Sequence, residues 1–367
     1  MRILYIEPFH GGSHQHFGDT LMSGVDAEWT ALTLPSRHWK WRMRGSAAWF
    51  ALEHAQAFQG IYDLVLASAY LPLTELVGLC PQLASVPKVL YFHENQLAYP
   101  VRDAWSGARD HHFGFTQLVS ALSATRCVYN SQFNRDSFLE AAQTLLGRLP
   151  DAVPKGWVDR IRGRSEVLAV PLDLPNDPGG LEDADRDGRD AGPILLWNHR
   201  WEHDKNPEGW LEALRQLHGR GVPFRLIVCG ERFRQVPDAF AAVREQFGPQ
   251  ILHWGYAADR AAYETLLRKA HVAISTAHHE FFGIAMLEAC HFGVRPLVPD
   301  RLAYREIFPD DFRYTTTSDL VDELERLCQG WMAHREVLRA DRRFITRAYL
   351  APAVLPKYEA LFRELVG

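Results

Sequence analysis

Two glutamates in one short segment have the spacing to bind a polyhydroxylated ligand. Glu280 follows a predicted strand, Val272–Ser275, and stands just before a helix that is predicted to start near Gly283. Glu288 lies eight residues further on, about two helical turns along and on roughly the same side. Because carboxylates accept hydrogen bonds from hydroxyl groups, we expect Glu280 to contact a sugar and Glu288 a ribose. An amphipathic helix with two incidental glutamates is the alternative.

The start of the same helix is suited to an anion. A glycine at position 283 lets the backbone approach a ligand closely. We expect the amides of Phe282, Gly283 and Ile284 to be unpaired donors of the first turn. Such amides, together with the helix dipole, favour phosphate groups. The segment therefore predicts a diphosphate site beside the two glutamates.

A basic pair after another predicted strand could serve the same anion. Arg200 and Lys205 lie in the loop that follows Ile194–Trp197, and both guanidinium and ammonium groups bind phosphate. Their expected role is to neutralise the charge that builds on a leaving diphosphate. The alternative is a solvated loop in which Glu202 and Asp204 pair with the two cations.

Two turns in the amino-terminal half carry glycine or polar residues after predicted strands. The Gly11–Gly12 turn lacks the GxGxxG spacing of a tightly held dinucleotide, so we expect its backbone to lie against the transferred group or the acceptor. The second turn holds His93, Glu94 and Asn95. Its HEN sequence lacks the HExxH spacing of a zinc protease. Among the other histidines of the chain, we expect none to bind a metal ion.

One stretch has the composition to bind a nucleic acid. Residues 37–44 read RHWKWRMR, with four basic side chains, two tryptophans and no acid. Basic groups can follow phosphates while indoles stack on unpaired bases, which suits a single-stranded RNA loop. In the alternative interpretation the tryptophans are buried and the basic groups are merely solvated. The candidate contacts are Arg37, Trp39, Lys40, Trp41, Arg42 and Arg44.

These segments belong to a βα alternation that predicts an α/β fold of two Rossmann-like domains with a cleft between them. The predicted strands are Ile3–Ile6, Asp63–Ala67, Lys88–Phe92, Arg126–Tyr129, Val167–Pro171, Ile194–Trp197, Phe224–Cys229, Ile251–Trp254, Val272–Ser275 and Pro296–Val298. The predicted helices are Ser46–Phe58, Phe115–Ser123, Gln132–Leu146, Pro207–His218, Asp238–Phe247, Asp259–Lys269 and Ile284–Phe292. The Asp-, Gly- and Pro-rich residues 176–192 are the predicted linker between domains at 1–175 and 193–351.

Composition excludes several classes of protein. A length of 367 residues suits two domains, and a net charge of -5 excludes a generally basic nucleic-acid binder. Five widely spaced cysteines without a CxxC pair argue against a disulfide framework and favour a reducing, cytoplasmic setting. No apolar run approaches the roughly 20 residues of a membrane-spanning helix. We therefore expect no membrane contact, and no obligate protein partner is evident.

In this order, the motifs resemble those of the two-Rossmann-domain (GT-B) glycosyltransferases of family 4. That family has an Arg-x4-Lys pair, here Arg200 and Lys205, and a Glu-x7-Glu element, here Glu280 and Glu288. Its histidine at a strand end corresponds to His93. The resemblance implies catalytic roles for His93, Glu280 and the basic pair, and donor contacts from Glu288. It also implies sugar transfer from a nucleotide donor with retention at the anomeric carbon, without a metal or another cofactor.

A narrower resemblance is to the tRNA-queuosine α-mannosyltransferases. It rests on GGSHQ, LPSRHWKWRMRGSAAWF, YFHENQLAYPV, NHRWEHDKNPE, LHWGY and HEFFGIAMLEA. It implies GDP-mannose as the donor, with Tyr256 among its contacts. The implied acceptor is the cyclopentenediol of queuosine in the tRNA anticodon loop, contacted by residues 37–44, Glu94 and Asn95. The wider family also implies a last helix at about 352–367 that returns to the first domain.

Two other functions remain open at this point. One is a family 4 glycosyltransferase with a different nucleotide-sugar donor and a glycan, lipid or small-molecule acceptor. The other is a non-catalytic RNA-binding protein on the same fold. The presence of both the Glu280/Glu288 and the Arg200/Lys205 pairs argues against a loss of donor binding.

Overall fold

The chain divides into two compact units. A computed structural model describes residues 1–99, 111–179, 192–232, 235–329, 331, 338 and 340–367. The first unit comprises Met1–Asp173 together with Tyr349–Gly367, and the second comprises Leu174–Ala348. Residues 180–191, most of the predicted linker, lie outside the described residues. Residues 174–179 group with the second unit.

The first unit is built on a sheet in which every pairing of neighbouring strands is parallel. Its strands are β1 (Arg2–His10), β2 (Glu28–Pro35), β3 (Leu64–Ser68), β4 (Lys88–Phe92), β5 (Arg126–Tyr129) and β6 (Ser165–Val167). They lie in the order β2-β1-β3-β4-β5-β6. Because β1, β3 and β4 are neighbours, their carboxyl ends meet at one edge of the sheet.

Helices connect these strands in the βαβ manner that a parallel sheet requires. Those described are α1 (Ser13–Gly24), α2 (Trp39–Glu53), α3 (Leu73–Leu79), α4 (His112–Ser123), α5 (Gln132–Leu146) and α6 (Trp157–Arg162). The strands β3 and β4 are buried along their whole length, as expected for the interior of such a sheet.

The second unit repeats this architecture. Its strands are β7 (Ile194–Trp197), β8 (Arg225–Cys229), β9 (Ile251–Gly255), β10 (Val272–Ile274), β11 (Arg295–Pro299) and β12 (Arg313–Tyr314), in the order β12-β11-β10-β7-β8-β9. All pairings are again parallel. The described helices are α7 (Pro207–Gly219), α8 (Asp238–Phe247), α9 (Arg260–Lys269), α10 (Ile284–His291), α11 (Tyr304–Ile307), α12 (Thr317–Gln329) and α13 (Arg343–Thr346).

Side-chain caps fix where two helices of the second unit begin. The Asn206 side-chain oxygen accepts a hydrogen bond from the Gly209 amide at 3.0 Å, and Pro207 occupies the first position of α7. The Asp259 carboxylate accepts one from the Ala262 amide at 2.8 Å, at the start of α9. Each cap ends the loop that follows the preceding strand, and so sets where polar residues of that loop lie.

The chain then returns to the first unit through a last helix, α14 (Ala351–Val366). Val354, Tyr358 and Phe362 on this helix are buried. The Tyr358 hydroxyl lies 3.0 Å from the Leu168 carbonyl oxygen and 3.1 Å from that of Ala169. The helix is therefore part of the first unit's core.

Predicted and observed bounds agree best where an element is buried or amphipathic. Lys88–Phe92, Arg126–Tyr129, Gln132–Leu146, Ile194–Trp197 and Asp238–Phe247 coincide with observed elements. The pattern does not predict β2 or β12, which are edge strands without a continuous apolar run. The helix predicted at Ser46–Phe58 is present, but its bounds are wrong, because α2 begins at Trp39 and ends at Glu53. The strand predicted at Val167–Pro171 lies at Ser165–Val167 instead.

Two further observations bear on the excluded classes. All five cysteines are free and buried, in agreement with the expected lack of a disulfide framework. Among the described residues, no helix combines the length and the apolar composition needed to cross a membrane.

Candidate active site

Lys205 and Glu280 meet at one edge of the second sheet. The strands β7 and β10 are parallel neighbours, so the loops that follow them leave the sheet on the same side. The Lys205 ammonium donates hydrogen bonds to Glu280 Oε2 and to the His279 carbonyl, each at 3.0 Å. The Lys205 side chain is 9% exposed and that of Glu280 18%. The two predicted motifs thus form one largely buried ion pair.

Further charges surround this pair. Asp204 Oδ2 lies 3.2 Å from Lys205 Nζ and 3.7 Å from Arg200 Nη2, while Glu202 Oε2 lies 3.0 Å from Arg200 Nη1. Glu202 and Asp204 are therefore partners of the basic pair, as the alternative interpretation supposed, but Asp204 and Lys205 are buried rather than solvated. Two cations face three carboxylates. The charge of the basic pair is therefore already balanced by carboxylates in this structure.

The ion pair sets the protonation of its members. Burial raises the pKa of Glu280, but the Lys205 ammonium and its hydrogen bond outweigh this and hold that pKa below its usual value. Burial lowers the pKa of Lys205, but the carboxylates of Asp204 and Glu280 raise it above its usual value. Both groups are therefore charged at neutral pH.

Two histidines beside the pair are neutral at pH 7. His199 and His279 are almost fully buried. Burial, and then the nearby Lys205 ammonium, lowers the pKa of each to about 4. The positive charge available to an anion in this cluster is therefore that of Arg200 and Lys205.

The backbone at the start of α10 is held by Glu280. Gly283 has φ +89°, and a Cβ there would lie 2.8 Å from the Tyr304 ring, so the position needs glycine. Glu280 Oε1 accepts hydrogen bonds from the amides of Phe281 at 3.1 Å and Phe282 at 3.4 Å. The prediction that the Phe282 amide is unpaired is therefore wrong, because the Glu280 carboxylate turns back over the helix start. Ile284 is the first residue of α10.

Glu288 belongs to a separate polar cluster. Arg260 Nη1 donates to Glu288 Oε1 at 2.5 Å, and the Tyr263 hydroxyl donates to Oε2 at 3.2 Å. Asn198 Nδ2 in turn donates to the Tyr263 hydroxyl oxygen at 3.0 Å and to the Ala285 carbonyl at 2.8 Å. The carboxylate expected to hold a ribose is thus oriented by Arg260 and Tyr263.

Sequence reasoning missed these supporting residues. Asn198 carries a usable signal, because it is the polar residue that directly follows the buried strand β7. Arg260 and Tyr263 form no recognisable motif, and only the packing of α9 brings them to α10. Tyr256, a predicted donor contact, is 73% exposed just after β9.

In the first unit, Glu7 and His93 come together with His14, one of the histidines that are not expected from the sequence to bind a metal ion. Glu7 Oε2 lies 3.1 Å from His14 Nδ1 and 3.9 Å from His93 Nε2. Ser68, at the end of β3, donates to Glu7 Oε1 at 2.8 Å. In the described part of the chain, Glu7, His14 and His93 are the group whose possible ligand atoms are close enough for a metal ion, all within 4.8 Å of one another. Glu7 carries its own sequence signal, since a carboxylate inside an apolar strand is rarely buried without a purpose.

The residues after His93 have different roles. Glu94 is half-buried and accepts hydrogen bonds from the Tyr70 hydroxyl and, at 3.0 Å, from Gln96 Nε2. Asn95 is fully buried, and its side-chain amide donates to Asn134 Oδ1 at 2.9 Å. The prediction that Asn95 contacts the acceptor is therefore wrong for this conformation, because its side chain holds the loop that carries Glu94.

The backbone at Gly12 is open. Gly12 has φ +55° and caps α1, and a Cβ built there would have no neighbour within 4 Å. At Gly11, by contrast, a Cβ would lie 2.0 Å from the Ser36 hydroxyl. The turn therefore leaves space for another molecule at Gly12 and none at Gly11.

The stretch 37–44 presents one exposed basic face. Lys40, Trp41 and Arg44 on α2, together with Arg37 just before the helix, are all exposed, Trp41 to 66%, and we call these four residues the α2 basic face. Arg44 lies four residues after Lys40 and three after Trp41, so these three are neighbours on one side of the helix. The first turn of α2 has no acidic residue and no side-chain cap. Cations at a helix start are unfavourable to the helix dipole, so they are not placed there for stability.

The other two candidate RNA contacts, Trp39 and Arg42, face inward. The Trp39 ring lies 5.2 Å from that of Phe113 and packs against a cluster with Met43 and Tyr70. Arg42 is half-buried, and burial followed by the charge of Arg37 lowers its pKa. The two tryptophans therefore differ: Trp39 contributes to the fold, and Trp41 is available to a partner.

Comparison with known proteins identifies both halves. Residues 2–172 match the family described as tRNA-queuosine alpha-mannosyltransferase N-terminal, and residues 183–350 match glycosyl transferases group 1. The chain is 37% identical over 375 aligned positions to a tRNA-queuosine alpha-mannosyltransferase from Drosophila melanogaster, covering 100% of this chain and 97% of that protein. A Mycobacterium tuberculosis GDP-mannose-dependent alpha-(1-6)-phosphatidylinositol dimannoside mannosyltransferase is 33% identical over 118 residues, which are 32% of this chain and 30% of that protein.

Solved structures show the same fold at low sequence identity. HepE from Anabaena, in complex with UDP, superposes with a TM-score of 0.71 at 15% identity, covering 99% of this chain and 100% of that one. Sucrose-phosphate synthase from Thermosynechococcus elongatus gives 0.73 at 15% identity, covering 100% and 99%. The fold is that of the GT-B glycosyltransferases, with two α/β units each built on a parallel sheet.

Proposed function

The chain belongs to the tRNA-queuosine α-mannosyltransferase family, and from that premise we propose that it transfers mannose from GDP-mannose to the cyclopentenediol of queuosine in the tRNA anticodon loop. The observation that carries this proposal is the 37% identity to the Drosophila enzyme along the whole chain. The similarity includes the amino-terminal unit as well as the unit common to group 1 glycosyltransferases. Queuosine in tRNA points to the cytoplasm as the place of reaction.

The second unit is proposed to bind the donor. Arg200 and Lys205 would take the diphosphate, Glu280 the hydroxyls of the sugar and Glu288 those of the ribose. The direct hydrogen bond between Lys205 and Glu280, at 3.0 Å, supports this division because it ties the phosphate-binding group to the sugar-binding group. The similarity to a mannosyltransferase that is GDP-mannose-dependent by name supports the choice of donor.

The proposed chemistry is substitution at the anomeric carbon with retention. The bond from that carbon to the diphosphate oxygen breaks, and an acceptor hydroxyl forms the new bond on the same face. The hydroxyl proton leaves with the diphosphate. Arg200 and Lys205 would stabilise the charge that develops on the leaving group, which is the largest electrostatic contribution available.

We expect this charge compensation to make a metal unnecessary. Turnover should therefore persist in EDTA, because two side-chain cations replace the divalent ion. Initial rates with and without EDTA check this expectation. Complete loss of activity, restored by magnesium or manganese, would show that the basic pair is not sufficient.

The first unit is proposed to bind the acceptor. The α2 basic face offers three cations and an exposed indole, a combination that binds phosphates and stacks on unpaired bases. Gly12 and Glu94 would contact the transferred sugar or the cyclopentenediol, since the backbone at Gly12 is open and Glu94 is half-buried.

The decisive experiment is transfer in vitro. Purified protein is incubated with GDP-mannose and with tRNA that carries queuosine, and the nucleosides are analysed by mass spectrometry. We expect a hexose on queuosine, and none on the matched tRNA that has guanosine at the wobble position. GDP-mannose hydrolysis without transfer to either tRNA would overturn the acceptor assignment. Transfer from UDP-glucose but not from GDP-mannose would overturn the donor assignment.

A further inference from the structure

The buried carboxylate of Glu7 is shared unequally between its neighbours. Its Oε1 accepts hydrogen bonds from the Phe9 amide and from the Ser68 hydroxyl, both at 2.8 Å. Its Oε2 therefore remains for the two histidines, at 3.1 Å from His14 Nδ1 and 3.9 Å from His93 Nε2. Glu7 is 0% exposed, so no water competes for this oxygen from bulk solvent.

The His93 ring has little freedom to turn away. It stacks on His14 with ring centroids 3.8 Å apart, and the rings of Phe17 and Tyr91 meet it edge-on at 4.9 and 4.7 Å. His93 Nε2 is buried and has no hydrogen-bond partner among the described residues. A shift of about 1 Å would bring it within hydrogen-bond distance of Glu7 Oε2.

Closing the 3.9 Å gap between His93 Nε2 and Glu7 Oε2 would decide which ring nitrogen carries the proton. A carboxylate oxygen can only accept a hydrogen bond, so the nitrogen that meets Glu7 must then be the protonated one. A neutral imidazole then has its lone pair on the other nitrogen. Burial, and then the neighbouring His14, lowers the pKa of His93 well below its usual value, so the ring is neutral at pH 7.

We infer that Glu7, with His14 stacked beside His93, is a positioning residue that fixes His93 in its Nε2-protonated tautomer and leaves Nδ1 as an acceptor for a substrate hydroxyl. This inference rests on the proposed function only through the catalytic role that the resemblance to the glycosyltransferase family implies for His93. Glu7 itself touches no substrate. It acts by orienting His93, as a carboxylate orients the histidine of a catalytic triad.

The tautomer is directly observable. Protein labelled with ¹⁵N in the histidine rings gives distinct nitrogen shifts for the two tautomers, and the His93 signals are identified by their loss in His93→Gln. We expect the wild-type signal of an Nε2-protonated ring. An Nδ1-protonated or doubly protonated His93 at pH 7 would overturn the inference. This measurement needs neither GDP-mannose nor tRNA. It therefore tests the tautomer of His93 independently of whether the proposed function is correct.

Substitution of Glu7 tests the consequence for turnover. In Glu7→Gln an amide replaces one carboxylate oxygen and can present a donor to His93, which favours the opposite tautomer. We expect kcat to fall roughly 10²-fold, as for a misplaced catalytic group, while the KM for GDP-mannose stays the same. Glu7→Asp keeps the carboxylate and should recover part of kcat. Glu28→Gln, an exposed glutamate in the same unit, is the matched control.

Three results would contradict this role. Wild-type kcat in folded Glu7→Gln would remove Glu7 from the reaction. A fall in kcat with an unchanged His93 tautomer would reduce Glu7 to a structural role. A stoichiometric metal ion in the purified protein, lost in Glu7→Gln, would make the cluster a metal site instead. If Glu7→Gln does not fold, the wild-type spectrum and Glu7→Asp decide the question.

Discussion

At the scale of single residues, the hydrogen bond between Lys205 and Glu280 joins the group proposed to bind the diphosphate to the group proposed to bind the sugar. Glu280 is held by Lys205 on one oxygen and by the Phe281 and Phe282 amides on the other. In the proposed donor complex, a sugar hydroxyl would therefore meet a carboxylate whose direction is already fixed. Such preorganisation lowers the barrier because no reorientation is needed during the reaction.

The two glutamates should differ in what their loss does to the kinetics. Glu280→Ala removes contacts that position the sugar, so kcat should fall on the order of 10²-fold. Glu288→Ala removes ribose contacts that are alike in the ground and transition states, so it should raise the KM for GDP-mannose on the order of tenfold with kcat unchanged.

Steady-state kinetics against GDP-mannose measure both effects. Arg260→Gln should resemble Glu288→Ala, because Arg260 holds that carboxylate. Glu245→Gln, which changes an exposed glutamate on α8, is the control. Full turnover in Glu280→Ala would remove this motif from the active site.

Acid should destabilise the protein through its buried histidines. His199 and His279 have a pKa of about 4 when folded, below the value near 6.5 of an unfolded histidine. Between these pH values the unfolded chain binds protons that the folded chain does not, so the free energy of unfolding decreases as the pH falls. The loss is up to about 1.4 kcal/mol per pH unit for each histidine.

Denaturant unfolding at pH 7, 6 and 5 checks this expectation. His199→Gln should show a shallower dependence than the wild type, whereas His218→Gln, at an exposed position on α7, should keep the wild-type slope. If the free energy of unfolding fell equally with pH in all three proteins, His199 would not contribute to the acid destabilisation.

At the scale of secondary-structure elements, α2 has one buried face and one exposed basic face. Met43, Ala47 and Phe50 are buried within the first unit, whereas Lys40, Trp41 and Arg44 on the helix, and Arg37 just before it, are exposed. Apolar and polar residues are distributed almost evenly around α2, because tryptophans and small residues occur on both faces. Its sequence therefore shows little of the helical periodicity of apolar residues. This is the physical reason why the sequence pattern misses its first seven residues.

Substitutions on the α2 basic face should weaken tRNA binding without changing the fold. Arg37→Ala with Arg44→Ala should make the salt dependence shallower by roughly 0.7–0.9 in log–log slope for each lost phosphate contact. Trp41→Ala should cost about 1–3 kcal/mol of binding if the indole stacks on a base. Trp39→Ala should instead lower the thermal stability, since this ring packs on Phe113.

Binding isotherms at several salt concentrations measure these effects. Arg148→Ala, at an exposed arginine beyond α5 on the same unit, is the matched control. Wild-type affinity and salt slope in the Arg37/Arg44 variant would place the RNA contacts elsewhere.

The sequence predicts secondary-structure elements and motifs better than it predicts which side chains contact each other. Strands such as β4 and β7 are recognisable because they are buried on both faces, and α5 and α7 because their apolar residues recur at helical spacing. The two motifs that hold Lys205 and Glu280 are recognisable from the sequence, but the ion pair between them is not. Neither Arg260 nor His14 could be assigned in this way, because their partners depend on how α9 and α1 pack. The burial of Asn95 likewise depends on contacts with α5.

At the scale of the whole molecule, the last helix makes the first unit discontinuous in sequence. Residues 349–367 complete a unit that otherwise ends at Asp173. Val354, Tyr358, Leu361 and Phe362 are all buried there. At about 1.5–3 kcal/mol for each large buried side chain, their contribution is comparable with the whole stability of a domain, about 5–15 kcal/mol.

Deletion of residues 349–367 should therefore unfold the first unit and spare the second. Hydrogen exchange measured by mass spectrometry would show loss of protection in β1, β3 and β4 and retained protection in β7 and β8. Val366→Ala, at an exposed position on the same helix, is the control. Wild-type protection of β1 in the truncated chain would show that α14 is dispensable.

The return of the chain also constrains the order of events during synthesis. A ribosome emits the residues of the second unit before it emits the helix that the first unit lacks. At roughly 5–20 residues per second, synthesis of the second unit delays the appearance of α14 by on the order of 10 s or more. For that time the growing first unit lacks α14, so the parts of α1 and β3 that α14 contacts are uncovered. Chaperones that recognise apolar chain segments thus have a defined window in which to bind, and that window closes when α14 has emerged and packed.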